Sequence, residues 1–368
     1  MKPYLLILFT VILNIGAIKL CAQTNSSDNL TFPSSLSDAR KELITASLAE
    51  FPINTQLSIA LINGDKTEYL GIKNKDWKLK NIENRDSVFE IGSISKVMTS
   101  ALLANAILNG DVSLSTEISE LLGYPLLKES KITLEQLSNH TSGMIRMPSN
   151  FLFAQMKDPN NPYLHYDEAA LKNWLTKYMT MDLKQDVSNY SNLGAALLAH
   201  GLTKKYNKSY ENLLQEQIFQ KLEMKSSTTK LEKVKEHLVK GQNAQGQICK
   251  NWEFDVLEGA GAVLSTITDM VKFARAVISQ KDEALELQRK PTFKVNENME
   301  MGLGWHIIHG KAGNTFYWHN GGTNGYTSSL IIDVERQLAI IVLSNLSAFH
   351  PKMGNIDELT FGLMRTLN

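Results

Sequence analysis

Phe89-Glu90-Ile91-Gly92-Ser93-Ile94-Ser95-Lys96 is the stretch on which the reading of this chain turns. Val88 to Ile91 reads as a short strand, which a glycine then ends. From Ser95 to Asn109, the residues Val97, Met98, Ala101, Leu102, Ala106 and Ile107 recur at three- and four-residue spacing, so a helix with an apolar stripe is expected. Gly110 is well placed as its C-terminal stop. Strand, glycine, helix is thus the predicted order, with Ser93 and Lys96 on one face of the helix start. A serine hydroxyl is a poor nucleophile until a base takes its proton. A lysine can be that base if burial or nearby cations destabilise its ammonium. The helix N-terminus also aims backbone N–H groups at developing negative charge. The spacing alone is common: Ser227-Thr228-Thr229-Lys230 repeats it, and a serine at a helix start is also an ordinary cap.

Upstream, Asp38 to Glu50 has helical apolar spacing. Leu57 to Ile62 and Thr67 to Ile72 read as a hairpin around Asn63-Gly64, two residues that tolerate positive φ. Downstream, Thr133 with Gln136 makes a capping-box pattern, and the chain is largely helical to about Lys235, most clearly over Asn192 to Leu202. Strand patterns return at Thr315 to Trp318, Thr327 to Ile332 and Gln337 to Leu343. The last is an almost continuous apolar run, as in a strand buried on both faces, and Asp357 to Leu367 reads as a closing helix. An α+β fold follows, with one sheet assembled from about 30–95 and 260–368 and a helical region inserted over about 96–259.

A second constellation, Tyr190-Ser191-Asn192-Leu193-Gly194, enters an Ala/Leu-rich helix. A tyrosine beside a lysine can take a proton and return it, and an asparagine offers both donor and acceptor to an amide. Tyr210-Glu211-Asn212 copies the spacing inside a polar helical stretch. A third constellation, Trp318-His319-Asn320-Gly321-Gly322-Thr323-Asn324-Gly325, closes a strand. Its glycines let a ligand approach exposed backbone. A histidine beside a tryptophan is as often structural as functional.

Taken in order, Ser93-x-x-Lys96, Tyr190-Ser191-Asn192 and His319-Asn320-Gly321 resemble the penicillin-recognising serine hydrolases: class C β-lactamases, low-molecular-weight D,D-peptidases and their esterase relatives. Leu137-Ser138-Asn139-His140-Thr141-Ser142-Gly143, Gly259-Ala260-Gly261 and Gly302-Leu303-Gly304-Trp305 also look like that family. The resemblance implies a β-lactamase/transpeptidase-like fold, an antiparallel sheet flanked by helices. It implies an acyl-enzyme on Ser93, with Lys96 and Tyr190 handling the proton and the N–H groups of Ser93 and Gly322 holding the oxyanion. Asn192 would bind the acyl-side amide, while His319, Asn320 and Gly321 would contact substrate, His319 on the leaving-group side. β-Lactams, D-Ala-D-Ala peptides or esters are the implied substrates. The third motif departs from the Lys-Thr-Gly of many β-lactamases. Histidine is only partly charged near neutrality and at this position looks more like certain D,D-peptidases and esterases, so acylation by a β-lactam is expected but efficient turnover is not. A carboxylesterase of the same fold and a penicillin-binding or sensor protein without turnover are the alternative readings.

Charge and length bound the rest. The chain has 368 residues, 43% hydrophobic, with 38 basic and 38 acidic side chains, and no basic excess exists to hold nucleic acid. Lys2, the apolar run Tyr4 to Ile18 and Ala22 read as a signal peptide over residues 1–22, leaving a domain at 23–368 with 36 basic and 38 acidic groups. Acylation at Cys21 and an uncleaved anchor are the other outcomes compatible with that segment. After cleavage no membrane span is expected, and the protein would be a periplasmic or secreted monomer. Only Cys249 would then remain, so no internal disulfide is expected. With no His or Asp/Glu pair at zinc-ligand spacing, neither metal nor cofactor is expected. The substrate pocket is expected from residues 150–166 and 241–252, whose side chains do not name a ligand.

Overall fold

The structure, a computed structural model, describes residues 30–32, 36–181 and 187–367. The expected signal segment lies outside these. Eleven strands are present. β1 (Gln56–Asn63), β2 (Lys66–Lys75) and β3 (Lys78–Asn81) come from the N-terminal part. β4 (Val88–Glu90) and β5 (Leu264–Thr266) form a separate pair. β6 (Phe293–Asn296), β7 (Met299–Met301), β8 (His306–His309), β9 (Thr315–Gly322), β10 (Thr327–Asp333) and β11 (Leu338–Ser344) follow. Nine of them make one antiparallel sheet in the order β3-β2-β1-β11-β10-β9-β8-β7-β6, with the two ends of the chain joined where Leu57 pairs with Ser344.

The five longest helices among the described residues are α1 (Asp38–Ala49), α2 (Ser95–Leu108), α3 (Asn192–Tyr206), α4 (Ile267–Ser279) and α5 (Gly354–Arg365), of which α4 and α5 pack directly on the central strands of the sheet. Strand alternation divides the apolar side chains between two faces. Leu57, Ile59 and Leu61 of β1 pack with α1 and α5, whereas Ala60 and Ile62 join the larger core under α2, α3 and α4. Every residue of β10 and β11 is buried, which is why β11 reads as a continuous apolar run. Each large aliphatic side chain so buried contributes roughly 1.5–3 kcal/mol. No helix among the described residues is long and apolar enough to cross a membrane.

Three local readings shift. The first turn is Gly64-Asp65 rather than Asn63-Gly64. Asn63 still pairs with Lys66 and only Gly64 is left-handed, at φ +55°, as in a hairpin with glycine first. β9 runs on through Gly322, so the third motif lies within the strand and not beyond its end. Strands β3, β6, β7 and β8 are additional. They are short and half-exposed, lying toward the two outer edges of the sheet, so their patterns carry little apolar signal.

Candidate active site

Glycine does the local work that brings Ser93 to a cavity. Gly92 is left-handed at φ +52° and turns the chain from β4 into one 3-10 turn, Gly92–Ile94, that runs straight into α2. A Cβ on Gly92 would lie 2.5 Å from the Gly322 nitrogen, and one on Gly321 would lie 1.9 Å from the Ile91 carbonyl. Only glycines allow β9 to come this close to the segment carrying the serine. The approach is fastened by Ser328 Oγ donating to the Ile91 carbonyl at 2.8 Å and by the Ile91 N–H donating to Val263 at 3.0 Å.

Lys96, one helical turn on, is 1% exposed. Its Nζ lies 2.9 Å from Ser93 Oγ and 2.6 Å from the Ala260 carbonyl, two uncharged partners. Burial, with the nearby Arg146 charge, holds the ammonium well below the ordinary lysine range, which favours the neutral amine, the form able to accept a proton. Tyr190 approaches from the other side. Its ring centroid is 4.9 Å from Lys96 Nζ, and its hydroxyl interacts with that of Ser93. Burial raises the phenol above its ordinary range, which keeps it protonated.

The Tyr190 ring is held by neighbours that the spacing arguments did not single out. His140, left-handed at φ +64°, stacks on it with centroids 4.6 Å apart and accepts the Ser191 N–H at Nδ1. Arg146 lies over the same ring at 5.1 Å. Ser191 caps α3 by accepting the Gly194 N–H, so Asn192 opens that helix at the cavity wall. Gly304 is left-handed and donates to the Ser138 carbonyl, closing the turn behind α2.

The cavity measures about 620 Å³ and is bordered by Ser93, Tyr190, Asn192, Ala260, Gly322 and Arg146. Its far wall is aromatic: Tyr163 lies 4.9 Å from Trp252 and 4.5 Å from Phe254, ring to ring, and its hydroxyl interacts with Asn192. Residues 150–166 contribute as expected, through Phe151, Gln155 and Tyr163 among others. Of residues 241–252 only Trp252 reaches the cavity, while Asn243, Gln245 and Lys250 border a separate groove.

His319 takes a different place from the one expected. It is 1% exposed and off the cavity wall, because alternation along β9 sends it the opposite way from Trp318 and Asn320. It packs between Tyr190 and His306, at 6.2 and 5.3 Å, with Nδ1 bonded to the Asn320 carbonyl and Nε2 unpartnered. Burial holds its imidazole well below the ordinary range and drives that of His306 down to about 4, so both are neutral. Asn320 and Gly321 do border the cavity, but the Asn320 amide is also committed to Asp357 of α5 at 2.7 Å.

The two repeats of motif spacing fall elsewhere. Ser227 bonds Ser265 and Asp269 while Lys230 pairs with Glu258, and Tyr210 is buried against Thr99. Burial pushes the Cys249 thiol up to about 11, so it stays protonated. No cluster of three or more metal-ligating side chains occurs among the described residues.

Known proteins resemble this chain. The family model described as Beta-lactamase matches residues 56–361. A Beta-lactamase of Pseudomonas fluorescens is 24% identical over 262 residues, 68% of this chain and 69% of its own. The D-alanyl-D-alanine-carboxypeptidase/endopeptidase AmpH of Escherichia coli is 27% identical over 305 residues, 74% of this chain and 76% of its own. Among solved structures, a Beta-Lactamase/D-Alanine Carboxypeptidase from Pseudomonas syringae superposes with a TM-score of 0.74 at 20% identity, covering 89% of this chain and 98% of the other. The nine-stranded sheet with its inserted helices is thus the β-lactamase/transpeptidase-like fold, and the chain belongs to the Beta-lactamase family.

Proposed function

We propose that the protein is an exported serine hydrolase that cleaves amide or ester bonds through an acyl-enzyme on Ser93. The observation that carries this reading is the Lys96 amine, buried with two uncharged partners and 2.9 Å from the Ser93 hydroxyl. Ser93 Oγ attacks the carbonyl carbon as its proton passes to Lys96 Nζ. The tetrahedral oxyanion is held by the N–H groups of Ser93 and Gly322, a pairing supported by the close approach of Gly92, next to Ser93, to the Gly322 nitrogen. Tyr190, kept protonated, gives its proton to the departing nitrogen or oxygen as that bond breaks, and recovers one from Lys96. Water then cleaves the acyl-enzyme by the reverse route. Lys96 thereby acts as the base and Tyr190 as the acid. Asn192, joined to Tyr163, presents its amide to the acyl side, with the aromatic wall beyond it.

D-Ala-D-Ala peptides and β-lactams are the substrate class that the relatives' names support. A second reading, a carboxylesterase, is favoured by the neutral, buried His319, which offers no fixed cation to a substrate carboxylate. Intact-protein mass spectrometry with benzylpenicillin, run beside loss of the free drug, separates these. A transient adduct on Ser93 with steady drug loss means β-lactam turnover, and a long-lived one means a D,D-peptidase. No adduct, with cleavage of short acyl esters, means the esterase. The absence of both an adduct and ester cleavage refutes the hydrolase assignment.

A further inference from the structure

Glu90 lies three residues before Ser93, and the mechanism above does not use it. It is 4% exposed on β4, where its backbone pairs with Leu264 of β5. One carboxyl oxygen, Oε1, accepts both the Asn251 Nδ2 donor at 2.7 Å and the Trp252 N–H at 3.0 Å. Asn251 continues the connection, donating to the Tyr326 hydroxyl at 2.9 Å, and that hydroxyl donates in turn to the Val239 carbonyl. The Thr323 hydroxyl, next after Gly322, lies beside the carboxyl without a closed hydrogen bond of its own. Among the described residues no cation offsets the buried carboxyl. The titratable groups facing it are the Cys249 thiol and the Tyr326 hydroxyl, both held protonated.

A carboxyl buried without a cation is unfavourable unless its acceptors are used, and here two donors of one loop converge on a single oxygen. That loop carries Trp252, whose ring stands against Tyr163 and 6.4 Å from Phe349 in the cavity wall. We propose that Glu90 is a positioning residue, whose carboxylate ties the segment Asn251–Trp252 to the strand leading into Ser93 and so sets the width of the aromatic pocket for the acyl group. The name pocket for the acyl group rests on the reading of Ser93 as the acylated residue. The tie itself does not.

Burial pushes the Glu90 carboxyl up to about 7, so it titrates near neutrality. Hydrogen bonds to the ionised form are stronger than those to the neutral acid. The tie is therefore firm above neutrality and slack below.

Hydrogen exchange of the 249–254 segment tests this in the full chain, for wild type, Glu90→Gln and Glu90→Ala at pH 6, 7 and 8, normalised for intrinsic exchange. Glutamine keeps the acceptor oxygen but cannot ionise, so it serves if alanine fails to fold. The expected result is that wild-type protection of the Trp252 amide falls about fivefold from pH 8 to pH 6, whereas Glu90→Gln shows an intermediate, pH-independent value. Wild-type protection that ignores pH, or a glutamine variant that follows the wild-type curve, overturns the proposal. In a parallel kinetic arm at pH 8, the ratio of KM for a phenylacetyl ester to that for an acetyl ester rises about fivefold in Glu90→Gln. Should the exchange behave as expected while neither an ester nor benzylpenicillin acylates the wild type, the tie stands and the hydrolase reading fails. Acylation with exchange unaltered in both variants overturns the role of Glu90 alone.

Discussion

Replacing Lys96 by methionine has two expected consequences of opposite sign, and the second is diagnostic. Methionine fills similar space but holds no proton, so loss of the base lowers the rate of Ser93 acylation about 10²–10⁴-fold. Stability responds through proton linkage. In the folded protein the Lys96 amine is neutral well below pH 10.5, whereas in the unfolded chain it binds a proton up to that pH. Between the two values the unfolded state holds one more proton, so the stability of the wild type increases with pH, by about 1.4 kcal/mol per unit inside that window. Lys96→Met removes the contribution and flattens the slope. At any single pH the comparison is ambiguous, because the variant also strips the Ala260 carbonyl of its partner at 2.6 Å, a loss of about 1–3 kcal/mol. The decisive measurement is therefore denaturant unfolding of both proteins at several pH values from 7 to 9, with adduct mass spectrometry alongside. Parallel pH slopes refute the neutral-amine argument, and a normally labelled Lys96→Met protein refutes the role of base.

Two further substitutions probe the geometry. In Gly321→Ala the new Cβ, placed 1.9 Å from the Ile91 carbonyl, must open the contact by about 1 Å, enough to lower Ser93 acylation on the order of 100-fold through the displaced Gly322 N–H. Acylation within threefold of wild type would show that this contact does not set the oxyanion site. Ser227→Ala severs bonds of 2.9 and 3.0 Å to Ser265 and Asp269, so urea unfolding should report a loss of about 1–2 kcal/mol with labelling intact, whereas disappearance of the label would move the nucleophile away from Ser93.

The elements around Ser93 were readable because they are local. The periodicity of Val97 to Ile107 marks α2, and Thr133 with Gln136 forms the capping box that the spacing suggests. Single motifs were ambiguous, since Ser227 and Tyr210 have the same spacings as Ser93 and Tyr190 yet are structural. Only their order along the chain, through resemblance to a family, favoured one set. Arg146, Glu90 and the aromatic wall around Tyr163 lie outside any spacing rule. His140 belongs to a quoted phrase, but its role under Tyr190 depends on a left-handed backbone and a stacking partner fifty residues away in sequence. His319 shows the opposite limit. Its residue type and neighbours were legible, but the face of β9 on which it lies was not.

The sequence alone established the main strands and helices, that strands from both ends make one sheet, and, through the family that the order of its motifs resembles, which serine, lysine and tyrosine are worth uniting. Those are matters of periodicity, turn chemistry and order. Tertiary structure decided what these residues are chemically. Burial against residues near 260, which supply a carbonyl 164 positions away, lowers the proton affinity of Lys96, and Gly92 meets Gly322 where Ser328 holds the Ile91 carbonyl across 237 positions. Burial and close approach are sums over contacts distant in sequence, and no local pattern encodes them.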